Sequence, residues 1–172
     1  MNKYMEFFMV ILGIDPGYAI VGYGFIEYKN NKYRILEFGA VTTPADMDFP
    51  QRLKVIYEDL SFLCQKHRPQ VLSIEKLFFN TNKKTAVDVA QARGVILLAA
   101  AMNGVEICEY TPLQVKQSVV GYGRAEKKQV QEMTKNLLGL SDVPKPDDTA
   151  DALALALCHA HASGSAYQRI GK

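Results

Sequence analysis

Asp15 closes the apolar run VILGID and is followed at once by Pro16 and Gly17. Glu75 closes a second apolar run, VLSIE, and three acids, Asp147, Asp148 and Asp151, crowd the start of the Ala- and Leu-rich stretch DDTADALALAL. Each place has a local explanation. Asp before Pro-Gly forms turns, because its side chain bonds the backbone two residues on while Pro presets φ. Glu at an element boundary is commonly a solvated charge, and Asp at a helix start caps free N–H groups and complements the dipole. These explanations are incomplete. The Lys76-Leu77-Phe78-Phe79 that follows Glu75 contains no turn former. A cap needs one acid, whereas Asp148 and Asp151 are three apart, which on a helix sets both carboxylates on one face with ~5–6 Å between Cβ atoms, where they repel unless a cation lies beside them. Carboxylates at two strand ends plus a same-face pair suit a hard divalent cation: Mg²⁺ or Mn²⁺ takes oxygen ligands, keeps several waters and bridges to phosphate oxygens. The pattern points to metal-assisted phosphoryl chemistry.

Imidazole and thiol groups offer no competing set. His159 lies eight residues beyond Asp151, about 12 Å along a helix axis and too far to share its metal. His67 and His161 fall near helix ends and read as surface or packing residues. Cys64, Cys108 and Cys158 are odd in number and form no C-x-x-C pair, which points away from a disulfide framework or zinc knuckle and toward thiols in a reducing, cytoplasmic setting. Neither Ser-His-Asp nor Cys-His catalysis has a local signature.

The elements that must position the acids can be read from patterning. Residues 9–15, 20–28 and 32–41 are rich in Val, Ile, Tyr and Phe and are separated by DPG and KNN turns, so they read as three successive strands. Leu53, Ile56, Tyr57, Leu60, Leu63 and Cys64 recur at helical spacing until His67-Arg68-Pro69 stops them. VLSIE (71–75) is a strand, 84–102 an Ala-rich helix, VEICEY (105–110) a strand, and three helical stretches follow. The order βββαβαβααα implies an α/β fold with a mixed five-stranded sheet, an antiparallel meander joined to parallel strands and flanked by helices. In such sheets sites gather at strand ends. With 172 residues, 48% hydrophobic and 22% charged, the chain reads as one domain over 1–172. Met9 offers an alternative start that would make 1–8 an extension, and 164–172 reads as a flexible tail. A net charge of +2 permits an anionic partner without demanding one. The opening MNKYMEFFMVILGI lacks the charge pattern and cleavage site of a signal peptide, and no run is expected to reach the ~20 apolar residues of a membrane span.

Taken together, ILGIDPG with the following GYG, then SIEKLFF, AQARGV, EYTPLQVKQSVVGYGRAEKKQV and DDTADALALAL resemble the RuvC family of Holliday junction resolvases, over residues 9–163. The resemblance implies a ribonuclease H-like fold, a homodimer, and paired metal-dependent incision of four-way DNA junctions beside the RuvA and RuvB branch-migration proteins. By position it implies Asp15, Glu75, Asp148 and Asp151 as metal ligands around two Mg²⁺, with Mn²⁺ as the alternative ion. The extra Asp147 competes with Asp148 for one of these places, and the D-x-x-D-A-L spacing favours Asp148. On this reading Asp15 is a metal ligand and its turn role is incidental.

The residues that would meet DNA follow the same motifs. Phe78 and Phe79 are adjacent aromatics three and four positions past Glu75, suited to stacking on an unpaired base or to core packing; the family's aromatic position favours Phe78. Asn80, Lys83 and Lys84 continue that loop with groups suited to phosphate. Lys116, Arg124, Lys127 and Lys128 surround the Gly121-Tyr122-Gly123 turn, by default a solvated face; Lys116 and Lys127 match basic positions of the family and are assigned to phosphate clamping or transition-state help, Lys116 as a catalytic group. Arg93 fits a helix cap, a DNA contact or a contact across subunits equally well. Two other functions share parts of the pattern: a related nuclease of the same fold on another substrate, and an ATP-binding protein of the actin-like and sugar-kinase class, whose phosphate loop also reads GID-x-G but which needs a second Gly-rich motif.

Overall fold

The computed structural model describes the backbone of residues 8–76 and 83–170, with side chains for all of these except 83, 84 and 165–170. Phe78, Phe79 and Asn80 lie outside the described residues, as do residues 1–7 of the suspected extension. The elements run β1 (Met9–Asp15), β2 (Ile20–Lys29), β3 (Lys32–Thr42), α1 (Phe49–His67), β4 (Val71–Glu75), α2 (Lys83–Met102), β5 (Glu106–Tyr110), α3 (Pro112–Val120), α4 (Lys127–Leu137) and α5 (Asp147–Ile170). This is the expected order, and boundaries fall within a few residues of the patterning.

The five strands form one sheet in the order β3-β2-β1-β4-β5. β1, β2 and β3 are antiparallel, and β4 and β5 add in parallel to β1. The β2–β3 hairpin turns on Asn30 and Asn31, both in the left-handed region with φ of 48° and 60°, which is the tight turn whose twist matches paired strands. α1 stops at Arg68, which takes φ 49° so that its N–H can bond Cys64 O; Pro69 cannot continue the helix.

Period-two alternation sends the strands' side chains to two cores. Leu12, Ile14, Val21, Phe25, Leu72 and Ile74 pack with α1 and α2, through Ile56, Leu60, Ala92, Ile96 and Ala99. Ile11, Ile26 and Tyr28 pack on the opposite face with α5, through Leu153, Ala156, Leu157 and Ala160, roofed by α3 and α4. Asp15, Gly13 and Ser73 belong to the α5 face by the same alternation.

One expectation is corrected. The stretch Thr85–Met102 of α2 is 18 residues long and apolar enough to cross a membrane by length and composition, a run longer than the patterning had admitted. It is the flank of this sheet: Ala92, Arg93, Ile96, Ala99 and Ala100 are buried on one side, while Val87, Leu98 and Met102 stay 53–68% exposed on the other. α5 runs through Ile170. A Cβ at Gly164 would stand 2.3 Å from the Tyr28 hydroxyl. The absence of a side chain here leaves room for that hydroxyl.

Candidate active site

Parallel pairing of β1 with β4 puts Ile14 opposite Ile74, so the next residue on each strand, Asp15 and Glu75, emerges at the same edge of the sheet. α5 begins at that edge, and its first turns carry Asp148 and Asp151. The closeness of α5 to the sheet has a direct cause in two strand glycines. A Cβ on Gly13 would lie 1.9 Å from Ala152 O, and one on Gly22 would lie 2.0 Å from Asp148 O. Helix backbone therefore rests on strand backbone, with no side chain between. Two hydrogen bonds pin the helix in that seat: Ser73 Oγ donates to Leu155 O at 2.6 Å, and Thr149 Oγ1 donates to Gly39 O at 3.0 Å. Both hydroxyls belong to fully buried residues, where an unmet donor is costly.

Asp15, Glu75 and Asp151 line a cleft of about 200 Å³ together with Lys116, Lys127, Val115, Val130 and Leu155. α3 and α4 form its far wall, each begun by a capping box: Thr111 with Gln114, and Glu126 with Gln129. These caps set Lys116 on α3 and Lys127 at the first position of α4. Burial, then the charges of Asp151, Asp148 and Glu75, push the Asp15 carboxyl up to about 7, with Lys127 opposing them. Burial and Asp151 also raise Glu75, against the pull of Lys116. The site thus holds more negative charge than its own lysines neutralise. Lys127 Nζ lies 2.7 Å from Asp151 Oδ2, a contact that raises the lysine, and Gln131 Nε2 donates to Asp151 Oδ1 at 3.3 Å. Asp147 is turned to Lys145, at 2.6 Å, which lowers its carboxyl.

The donor chemistry fits a hard divalent cation, because every candidate ligand is a carboxylate oxygen and the central one is held short of positive charge. Among the described residues no three His, Cys, Asp or Glu side chains are grouped closely enough to hold an ion by themselves. Lys127 supplies the cation nearest to Asp151.

Of the other residues singled out, Arg124 and Lys128 are exposed and flank Lys127 beyond the Gly121 turn. Lys83 and Lys84 open α2, their side chains outside the description. Arg93, open between a cap, a DNA contact and a subunit contact, turns to two partners within the sheet edge. It is 9% exposed, its Nε donates to Glu75 O at 3.3 Å, and its guanidinium pairs with Glu109. Sequence patterning missed Gly13, Gly22, Ser73, Thr149 and Gln131. The two glycines carried a signal, small residues within otherwise bulky strands; the others had none.

The sheet order β3-β2-β1-β4-β5, with helices on both faces, is a ribonuclease H-like fold, the fold of resolvases. The chain belongs to the RuvC family: the family model described as "Crossover junction endodeoxyribonuclease RuvC" matches residues 11–159. It is 60% identical to the crossover junction endodeoxyribonuclease RuvC of Alkaliphilus oremlandii over 153 residues, 89% of this chain and 93% of that one. With the Clostridioides difficile protein of the same name it shares 59% over 155 residues, 90% and 92% of the two chains. The Thermus thermophilus RuvC structure superposes with a TM-score of 0.85 at 35% identity, covering 92% of this chain and 97% of that one. T. thermophilus RuvC in complex with a Holliday junction substrate gives 0.84 at 33%, covering 91% and 96%.

Proposed function

We infer that this chain is a metal-dependent endodeoxyribonuclease that resolves four-way DNA junctions by paired, symmetric phosphodiester hydrolysis, in recombination and repair. The observation that carries the reading is the meeting of Asp15, Glu75 and Asp151 with two lysines in one open cleft, in a chain of a family named for that activity. Family membership also replaces the ATP-binding alternative. Nick mapping on a labelled four-way junction beside a linear duplex of the same sequence tests it: symmetric nicks on the junction, dependent on Mg²⁺ and abolished by EDTA, are expected, and equal cutting of the duplex would overturn it.

Asp15, Glu75, Asp148 and Asp151 would hold the ions, Mg²⁺ with Mn²⁺ as substitute. Asp148 is favoured over Asp147 because its charge acts on Asp15 while Asp147 is engaged by Lys145. When bound, such a pair supplies an activated water on one side of the phosphorus and stabilises the leaving 3′ oxygen on the other. The chain's own groups do the rest. Lys116 and Lys127 face the acids across the cleft and offer ammonium groups to a phosphate that the carboxylates alone would repel. A Lys116→Ala variant is expected to nick about 10²-fold more slowly, with the salt dependence of junction binding shallower by about one phosphate contact; unchanged values in both would remove the lysine from the site.

The junction's two equivalent strands call for two equivalent acid clefts, hence a C₂ homodimer. The exposed side of α2 supports it, since Val87, Leu98 and Met102 lie on the side that also carries Gly94, where nothing stands within 4 Å of an added Cβ. Leu98→Glu is expected to yield monomers in sedimentation at micromolar concentration, with paired nicking reduced to single nicks. The remaining assignments complete the reading: Phe78, or its neighbour Phe79, stacking at the junction; Asn80, Lys83, Lys84, Arg124 and Lys128 on phosphates; RuvA and RuvB as partners; a cytoplasmic setting.

A further inference from the structure

Arg93 is a buried charge that bonds, among the described residues, the backbone of β4 and the side chain of Glu109 on β5. Its Nε–H donates to the carbonyl of Glu75 at 3.3 Å, and its terminal nitrogen pairs with Glu109 of β5, a carboxylate side chain still 43% exposed. Glu75 is the last residue of β4. Beyond it, Lys76 N–H bonds Tyr110 O at 2.8 Å on the β5 side. The carbonyl at the strand end is tied by a side chain from a third element, α2. A guanidinium suits this task because its planar fork presents donors in two fixed directions, one to a carbonyl and one to a carboxylate, which a lysine ammonium on a flexible stem does not reproduce. The following residue of the same helix, Gly94, belongs to the α2 face assigned above to the second copy.

We propose that Arg93, oriented by Glu109, is a positioning residue that holds Glu75 at its place in the acid cleft and links it to the seat of α2. The proposal rests on the reading of Glu75 as a ligand of the divalent ion. Hydrogen-bonded supports of a ligand commonly govern metal affinity as strongly as ~10–100-fold, and that is where the effect is expected.

The test titrates the full-length protein with Mn²⁺ and counts bound ion by electron paramagnetic resonance, for wild type, Arg93→Lys, Glu109→Gln and, as the reference for a lost ligand, Glu75→Gln. Melting temperature and junction affinity are measured alongside in EDTA. Arg93→Lys is expected to bind Mn²⁺ about tenfold more weakly, and Glu109→Gln severalfold more weakly. Junction affinity in EDTA should stay unchanged, and nicking should return toward the wild-type rate at saturating Mn²⁺. A merely structural ion pair would move the melting temperature and leave metal affinity alone. If Arg93→Lys does not fold, Glu109→Gln, at the surface and still able to accept a hydrogen bond, carries the test. Weakened binding in Glu75→Gln with wild-type binding in both other variants would overturn the positioning role alone. Wild-type binding in Glu75→Gln as well would overturn the ligand reading and the positioning role with it.

Discussion

Asp15→Asn is expected to lose junction nicking by on the order of 10³-fold or more while melting at a higher temperature than the wild type in EDTA at pH 8. The two effects have one origin. Asp15 is buried among Asp151, Asp148 and Glu75, and its carboxyl is pushed up to about 7, so the folded state holds that proton more tightly than the unfolded chain does. For a carboxyl raised in this way, the stability of the metal-free protein falls as pH rises from about 4 through about 7, and the full penalty stands above that range. Asparagine keeps the size and the turn-forming amide and removes the charge. Allowing for solvent at the mouth of the cleft, the gain is on the order of 2 kcal/mol, a rise of about 5 °C for a domain of this size. Calorimetry at pH 5 and pH 8 in EDTA checks the sign: the two proteins should converge at the lower pH. A variant that melts below the wild type at pH 8 would contradict the buried, uncompensated charge. Mg²⁺ should reverse the order by binding only the wild type, and its affinity should weaken as pH drops below about 7, because the proton competes with the ion.

The second large effect is expected at Gly13 and Gly22. An added methyl at Gly13 meets Ala152 O at 1.9 Å and Ala156 N at 2.8 Å, and one at Gly22 meets Asp148 O at 2.0 Å. In each case the obstacle is backbone, which cannot rotate aside as a side chain can. Overpacking typically costs about 1–3 kcal/mol. Gly13→Ala, under the second and third turns of the helix, is expected at or above the top of that range, with a melting temperature lower by about 10 °C. Gly22→Ala strikes the first turn of α5, where the helix can tilt. Its stability loss is expected to be smaller and its activity loss larger, on the order of 10²-fold, because a displacement near 1 Å of Asp148 spoils the acid constellation. Wild-type stability and activity in both variants would refute the backbone contact.

Much of this arrangement is legible in the sequence because local and global preferences agree. Alternation and turn chemistry identify the hairpin at Asn30-Asn31, the stop at Arg68-Pro69 and the strands that end on Asp15 and Glu75. A carboxylate at a strand end is visible because the run that precedes it is apolar. What escaped reading depends on partners far along the chain. Gly13 looks like an ordinary small residue until α5, about 140 residues later, lies on it. Arg93 suits a cap, a phosphate or a partner equally well, and only the placement of β4 and β5 shows that it faces Glu75 O and Glu109. Lys127 reads as one cation of a basic turn, while its salt bridge to Asp151 follows from α4 crossing α5. Gly164 is silent in the sequence, and its closeness to the Tyr28 hydroxyl appears only when α5 lies on β2.

The seat of α5 has a consequence for how the protein opens. The helix packs against β1, β2, β3, β4, α3 and α4, and the residues Ala152 to Leu157 are almost wholly sealed from water. Their amides should exchange with deuterium only through global unfolding, placing this helix in the most protected cooperative unit of the chain. Asp151 directly precedes that unit, so this member of the acid constellation has no low-energy fraying route. The cleft should keep its geometry up to the melting transition, with turnover rising smoothly with temperature and then collapsing together with the fold.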